Sequence, residues 1–183
     1  MTYDRETALL IIDMQVDFCP GGALPVAGGH DVVPVINTAI AAAREAGAPV
    51  IATRDWHPVD HCSFREQGGP WPVHCVQDSA GAAFHPELQL PEDAVRVSKG
   101  TAFDRDAYSG FDGTGLAGWL RARGIGRLVC AGLAQDVCVR ATVLDACREG
   151  FDTRLLMAGT RPVDPAAADS VAAELRAAGA RLA

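Results

Sequence analysis

RLVCAGLAQDVCVRATVLDACREGFDTRLLM, residues 127–157, is the stretch that decides the fold. Arg127–Ala131 (RLVCA) is a short apolar run of the kind that forms a fully buried strand. Asp136–Glu149 has helical spacing, and Thr153–Met157 returns to a strand pattern. A strand, a helix and a strand in that order make a crossover unit whose two strands lie parallel.

The same rhythm extends outward in both directions. Ala8–Asp13 (ALLIID) is a buried-strand run. A helix follows over His30–Gly47, with Val33, Ile36, Ile40 and Ala43 at helical spacing and Gly47 as its stop. Pro49–Thr53 (PVIAT) and Val95–Ser98 are the next strands. Gly115–Arg123 is a helix with Leu116 and Leu120 on one face, ended by Gly124. Downstream, Pro165–Ala178 is a helix beginning at proline, and Ala180–Leu182 is a last short strand. The alternation predicts an α/β protein with three layers, αβα, around a doubly wound and mostly parallel sheet of about six strands. A chain of 183 residues suits one domain, here residues 1–183. Folding at this size buries roughly two-thirds of the surface the unfolded chain exposes. No internal repeat, low-complexity tract or linker divides it.

Composition narrows the function. The chain is 49% apolar and 21% charged, too rich in core residues for disorder. Sixteen basic against 23 acidic residues leave a formal charge of −7 without a Lys/Arg cluster. That balance disfavours nucleic acid or an anionic membrane as a partner. No apolar run approaches the ~20 residues of a membrane span. The stretch Met1 to Thr7 is polar and holds both signs of charge, and Asp13 breaks the apolar run after it. This is unlike a secretion leader, so cytoplasmic residence is expected. The six cysteines contain no CxxC pair, against a zinc ribbon or a thioredoxin-like redox site. Most are expected to be small buried residues with free thiols.

One segment breaks the rhythm. Asp55 to Asp93 is long, rich in Pro, Gly, His and aromatic residues, and weakly periodic, which marks it as a functional loop. It opens with Asp55-Trp56-His57 just after a strand. In extended chain, residues two apart face the same side, so Asp55 and His57 could share a metal ion. His61 and His74 lie in the same loop, and a mixed carboxylate and imidazole set suits zinc, iron or manganese. The plain alternative is a polar loop with surface histidines.

Three other residues have the placement that chemistry needs. Asp13 ends the strand run ALLII, close to a buried position where an ionised carboxylate needs partners. Cys138 follows a strand and a short loop, close to the start of a helix whose free N–H groups favour a thiolate and a nearby oxyanion. Lys99 ends the strand Val95–Ser98. Each has an ordinary reading: a cap, a packed small residue and a solvated amine. Asp13, Asp55, Lys99 and Cys138 nonetheless fall together beyond the carboxyl ends of predicted parallel strands, where this architecture gathers ligands.

The segments IIDMQVDF, TRDWHPVDHCSF, GGPWPVHCVQDSAGAAFHPEL, SKGTAFDRDAYSGF and CAGLAQDVCVRAT closely resemble the nicotinamidases and pyrazinamidases of the cysteine-hydrolase, isochorismatase-like superfamily. The resemblance runs from about Ala8 to about Ala158. It implies a metal-dependent amidase that converts nicotinamide to nicotinate and ammonia, and accepts pyrazinamide, in NAD salvage. The implied triad is Asp13, Lys99 and Cys138; a positively charged Lys99 would favour ionised Asp13 and a thiolate, with Asp13 taking the thiol proton. Main-chain N–H groups of Ala134 and Cys138 would form the oxyanion hole, after a cis peptide at Leu133–Ala134. Asp55, His57 and His74 would hold one divalent ion, zinc first and iron or manganese next. His61 matches a histidine that is a direct ligand only in some members. Phe18 and Trp71 match residues flanking the pyridine ring, and Tyr108 lies in a segment that walls the pocket. A homo-oligomer, a dimer or larger, is implied as well. The sequence departs from the pattern at Ala134-Gln135-Asp136-Val137 and at Ala158-Gly159-Thr160-Arg161-Pro162, which touches the pocket edges. The alternatives are an amidase for another small carboxamide, modified pyridine or aliphatic; a metal-free relative acting on N-carbamoyl compounds or vinyl ethers; and a non-catalytic metal-binding scaffold.

Overall fold

The computed structural model describes residues Tyr3–Ala183; Met1 and Thr2, part of the polar N-terminal stretch, lie outside the described residues. Among these, six strands form one sheet: β1 (Thr7–Ile12), β2 (Val50–Asp55), β3 (Val95–Lys99), β4 (Arg127–Leu133), β5 (Asp152–Arg161) and β6 (Arg181–Leu182). Their order is β3-β2-β1-β4-β5-β6, and every pairing is parallel, where the sequence predicts a mostly parallel sheet. The order reverses between β1 and β4, which makes the carboxyl ends of those strands the switch point where such sheets bind ligands.

β1 shows why its sequence reads as an unbroken apolar run. Leu9 and Ile11 enter a core on one face with Val33, Ile36 and Ile40 of α1 (Val33–Glu45). Ala8, Leu10 and Ile12 enter a second core on the other face. That core is completed by α2 (Leu116–Arg121), α3 (Arg140–Arg148) and α4 (Ala168–Ala177), through Leu120, Val143 and Leu175. A central parallel strand is covered on both sides, so both of its alternating sets are apolar.

The helices differ from expectation at their ends. The segment Gly29–Val32 is a 3-10 turn leading into α1. The predicted helix over Asp136–Glu149 divides into a π-helical turn, Gln135–Val139, and then α3. A π turn is rare and frequent at functional sites, and this one carries Cys138. β5 runs four residues past its predicted end, through a break in register with β4 between Cys130 and Gly132. Ala158-Gly159 looks like a loop locally, but pairing with β4 overrides that preference. Among the described residues, no helix is long and apolar enough to cross a membrane. All six cysteines are unpaired.

Candidate active site

Register brings the reactive groups together. Asp55, the last residue of β2, pairs with Lys99, the last residue of β3. Asp13 follows β1 with φ +47°, and its N–H donates to the Thr53 carbonyl at 3.2 Å. A non-glycine residue in the left-handed region is uncommon and collects at functional sites. Gly132 lets β4 come close beside β1, since a Cβ there would sit 2.0 Å from the Ile12 carbonyl oxygen.

Lys99 is the centre of the cluster, with 1% of its surface exposed. Its ammonium lies 2.9 Å from Asp13 Oδ2 and 3.5 Å from Cys138 Sγ, and it donates to Asp55 Oδ1 and to the Ala107 carbonyl. Burial alone would discharge this amine. Asp13, Asp55 and the Cys138 sulfur outweigh it and hold the charged form well above the ordinary lysine range. The two carboxylates respond differently. Asp13 is sealed from water, and burial pushes its pKa up despite Lys99 and a 2.7 Å hydrogen bond from the Thr53 hydroxyl. Against the same cost of burial, Lys99 and His57 hold Asp55 well below the usual carboxylate range.

Cys138 lies beside the same ammonium. Burial raises its pKa well above the free value; Lys99 opposes this, while Asp13 and Asp55 add to it. The thiol thus lies beside a carboxylate whose own proton affinity has also been lifted by burial. That pairing suits a thiol that ionises only as it attacks.

Asp55, His57 and His74 are buried, and one donor atom from each falls within 4.8 Å of the others. His57 Nδ1 donates to the Gly100 carbonyl and His74 Nδ1 to the Pro72 carbonyl, both at 2.8 Å. Each ring thus turns Nε2 toward Asp55 Oδ2, at 3.6 and 3.9 Å. Imidazoles oriented by carbonyls beside a carboxylate are a fitting donor set for a divalent ion of the zinc, iron or manganese kind. Gly100 permits the His57 contact, because it has φ +61° and a Cβ there would come 2.4 Å from His57 Cε1.

His61 is held differently from these two. It stacks on His57 at 4.1 Å, but its Nδ1 faces the Ser63 hydroxyl at 2.7 Å and its Nε2 the Arg105 carbonyl at 3.1 Å. Both nitrogens are occupied, so His61 stands outside the trio.

A pocket of about 430 Å³, reckoned out to its mouth, opens over this floor. Phe18, Trp71 and Tyr108 line it as the resemblance implies, together with Ala134 and Cys138. Trp71 Nε1 donates to the Tyr108 hydroxyl at 3.0 Å, locking two walls together. The Leu133–Ala134 peptide is cis. Leu24, Val26, Val137 and Val163 complete the apolar lining and are not legible from local pattern.

Gln15 is also missed by local pattern. It is buried and clamps the main chain of Asp55, accepting from its N–H at 2.8 Å and donating to its carbonyl at 2.8 Å. It also donates to the Ala82 carbonyl at 2.9 Å. The available signal was an amide two residues beyond Asp13, in an otherwise apolar stretch.

A sheet of this topology, with its polar cluster at the switch point, is the frame of the isochorismatase domain; that domain matches residues 7–183, and the chain belongs to the family. Within the family the chain is 41% identical to the nicotinamidase of Escherichia coli (strain K12), over 96% of this chain and 93% of that protein. Among solved structures, the pyrazinamidase of Pyrococcus horikoshii in complex with zinc superimposes with a TM-score of 0.95 at 48% identity, covering 97% of this chain and 98% of that one. PnC1 from L. infantum in complex with nicotinate gives 0.92 at 42% identity, covering 100% and 95%.

Proposed function

We propose that this chain, acting as one hydrolase domain, converts nicotinamide to nicotinate and ammonia, accepts pyrazinamide, and works through a thioester on Cys138. The observation that carries the reading is the sealed Lys99 ammonium, which reaches Asp13, Asp55 and Cys138 at once. Similarity to enzymes named nicotinamidase and pyrazinamidase supports the substrate class.

The thiol proton passes from Cys138 to Asp13 as sulfur bonds to the amide carbon. Negative charge on the carbonyl oxygen is met by the N–H groups of Ala134 and Cys138, where one such donor is typically worth ~3 kcal/mol. The carbon–nitrogen bond then breaks, and Asp13 returns its proton to the departing amine as ammonia. Water attacks the thioester and gives a proton to Asp13, which restores the thiol as the acid leaves. Lys99 keeps a positive charge beside both carboxylates throughout. Asp55, His57 and His74 would hold a divalent ion, zinc first and iron or manganese next. Such an ion would supply Lewis acidity and a fixed positive charge on the pocket floor. Phe18 and Trp71 would flank the pyridine ring.

The cytoplasm is the compartment that suits six unpaired thiols, and a homo-oligomer is the assembly we expect. A role in NAD salvage follows from the substrate.

Ammonia release over a carboxamide panel, with and without chelator, tests the reading. Cys138→Ala is expected to lower turnover of nicotinamide by roughly 10⁴-fold or more, and wild-type enzyme trapped during turnover should carry an acyl mass on Cys138. Turnover retained in Cys138→Ala removes the nucleophile, and a higher rate on aliphatic amides moves the substrate class. Metal analysis of His57→Ala and His74→Ala is expected to show loss of the bound ion; full occupancy in both places the metal elsewhere.

A further inference from the structure

We propose that Asp17 is a positioning residue that holds the His74 turn and the apolar wall of the pocket in one fixed arrangement; this rests on the reading of Asp55, His57 and His74 as a metal site. Asp17 lies in the 3-10 turn Val16–Phe18, after β1. Its Oδ2 accepts from the Cys75 N–H at 2.7 Å, one residue past His74. Its Oδ1 accepts from the Ala23 N–H at 3.1 Å, one residue before the pocket residue Leu24. The Asp17 main chain extends the junction. Its N–H donates to the Gly81 carbonyl, and its carbonyl accepts from the Leu24 N–H, both at 3.0 Å. The next residue, Phe18, lines the pocket and tilts against the His74 ring with centroids 5.6 Å apart.

Cys75 needs such support. Its φ of +46° puts a non-glycine residue in the left-handed region, which is strained and persists only where surroundings impose it. The Asp17 carboxylate takes its N–H in a charge-assisted bond, and the His57 N–H donates to its carbonyl at 3.0 Å. The turn that presents His74 to Asp55 is thus closed by Asp17 on one side and by His57 on the other. The hydrogen bonds of the Asp17 carboxylate go to main-chain N–H groups, so it positions His74 through the backbone it holds.

The test is the zinc affinity of metal-free protein, read by competition with a chromophoric chelator, alongside KM and kcat on zinc-saturated enzyme. Groups that orient metal ligands typically contribute 10–100-fold to affinity. Asp17→Ala is expected to fall in that range while keeping the wild-type circular dichroism, and to raise the KM for nicotinamide more than it lowers kcat. Asp17→Asn keeps one of the two acceptor oxygens and is expected to recover part of the loss. Gly81→Ala is an independent route, since a Cβ there would meet Asp17 Oδ2 at 2.2 Å and force the carboxylate aside. It is expected to weaken zinc in the same direction, and it carries the test if Asp17→Ala does not fold. Zinc binding within twofold of wild type in folded Asp17→Ala or Gly81→Ala overturns the proposal. Wild-type protein that binds no zinc, or binds it equally after His57→Ala, overturns the metal site itself.

Discussion

At the carboxyl ends of β1, β2 and β3, Asp13, Asp55 and Lys99 are almost sealed from water, whereas at the amino ends of the strands the same kinds of group pair in the open. Arg127, which starts β4, meets Asp4 at 2.5 Å and Glu6 at 3.3 Å, and Arg181, which starts β6, meets Asp152 at 2.5 Å. The distances are similar and the consequences are not. Exposed pairs trade well-hydrated charges for a screened contact and contribute little. Buried ones have lost their water, so each group depends on its neighbours, and their proton affinities move far from ordinary values. Stability does not require the arrangement at the carboxyl ends. It is the kind of cost that a reaction justifies.

Lys99→Met breaks that contrast most sharply. Removing the ammonium leaves two buried carboxylates facing each other, and loss of one partner from a buried pair typically costs about 3–5 kcal/mol. Denaturant unfolding of metal-free protein should show a loss of this order, and zinc should restore part of it by neutralising Asp55. Ammonia release should vanish in either state. A midpoint close to wild type would mean that the buried cluster is no more interdependent than the exposed one.

Arg127→Ala probes the other end. It should leave ammonia release unchanged and lower the melting temperature only slightly, with the difference shrinking as salt is added. A large loss of stability would erase the distinction between the two ends.

The smallest effect is one of pH. The Arg127 guanidinium, with help from the Thr7 hydroxyl, holds Asp4 at about 2 against an ordinary 3.8. A depressed folded-state value means that this contribution is fully present above the unfolded value. It is lost as pH falls from there through about 2. Asp4→Asn should flatten the stability profile in that acid window and nowhere else, which chemical denaturation at graded pH would show.

Much of the site was legible in local pattern because strand ends mark themselves. Asp13 and Asp55 each break or follow an apolar run, and Lys99 ends one, so their common edge follows once the strands are parallel. The pairing of Asp55 with Lys99 is a matter of register and has no local sign. His57 and His61 look alike in the sequence. Carbonyls on separate segments decide which one turns Nε2 toward Asp55. Gln15 and Asp17 look like ordinary polar residues after a strand, because the main-chain groups they hold lie 40 and 58 residues away.

The amino-acid order by itself determined the alternation of buried strand and amphipathic helix, and with it the parallel sheet and the edge where polar side chains collect. Those features follow from side-chain period and from the need to cover both faces of each central strand. Only the tertiary structure decided which carboxylate sits high and which low, which imidazoles face one point, and that the cysteine lies against the buried ammonium. These depend on the loss of water and on distances of a few ångströms between groups far apart in the chain, and no local pattern records either.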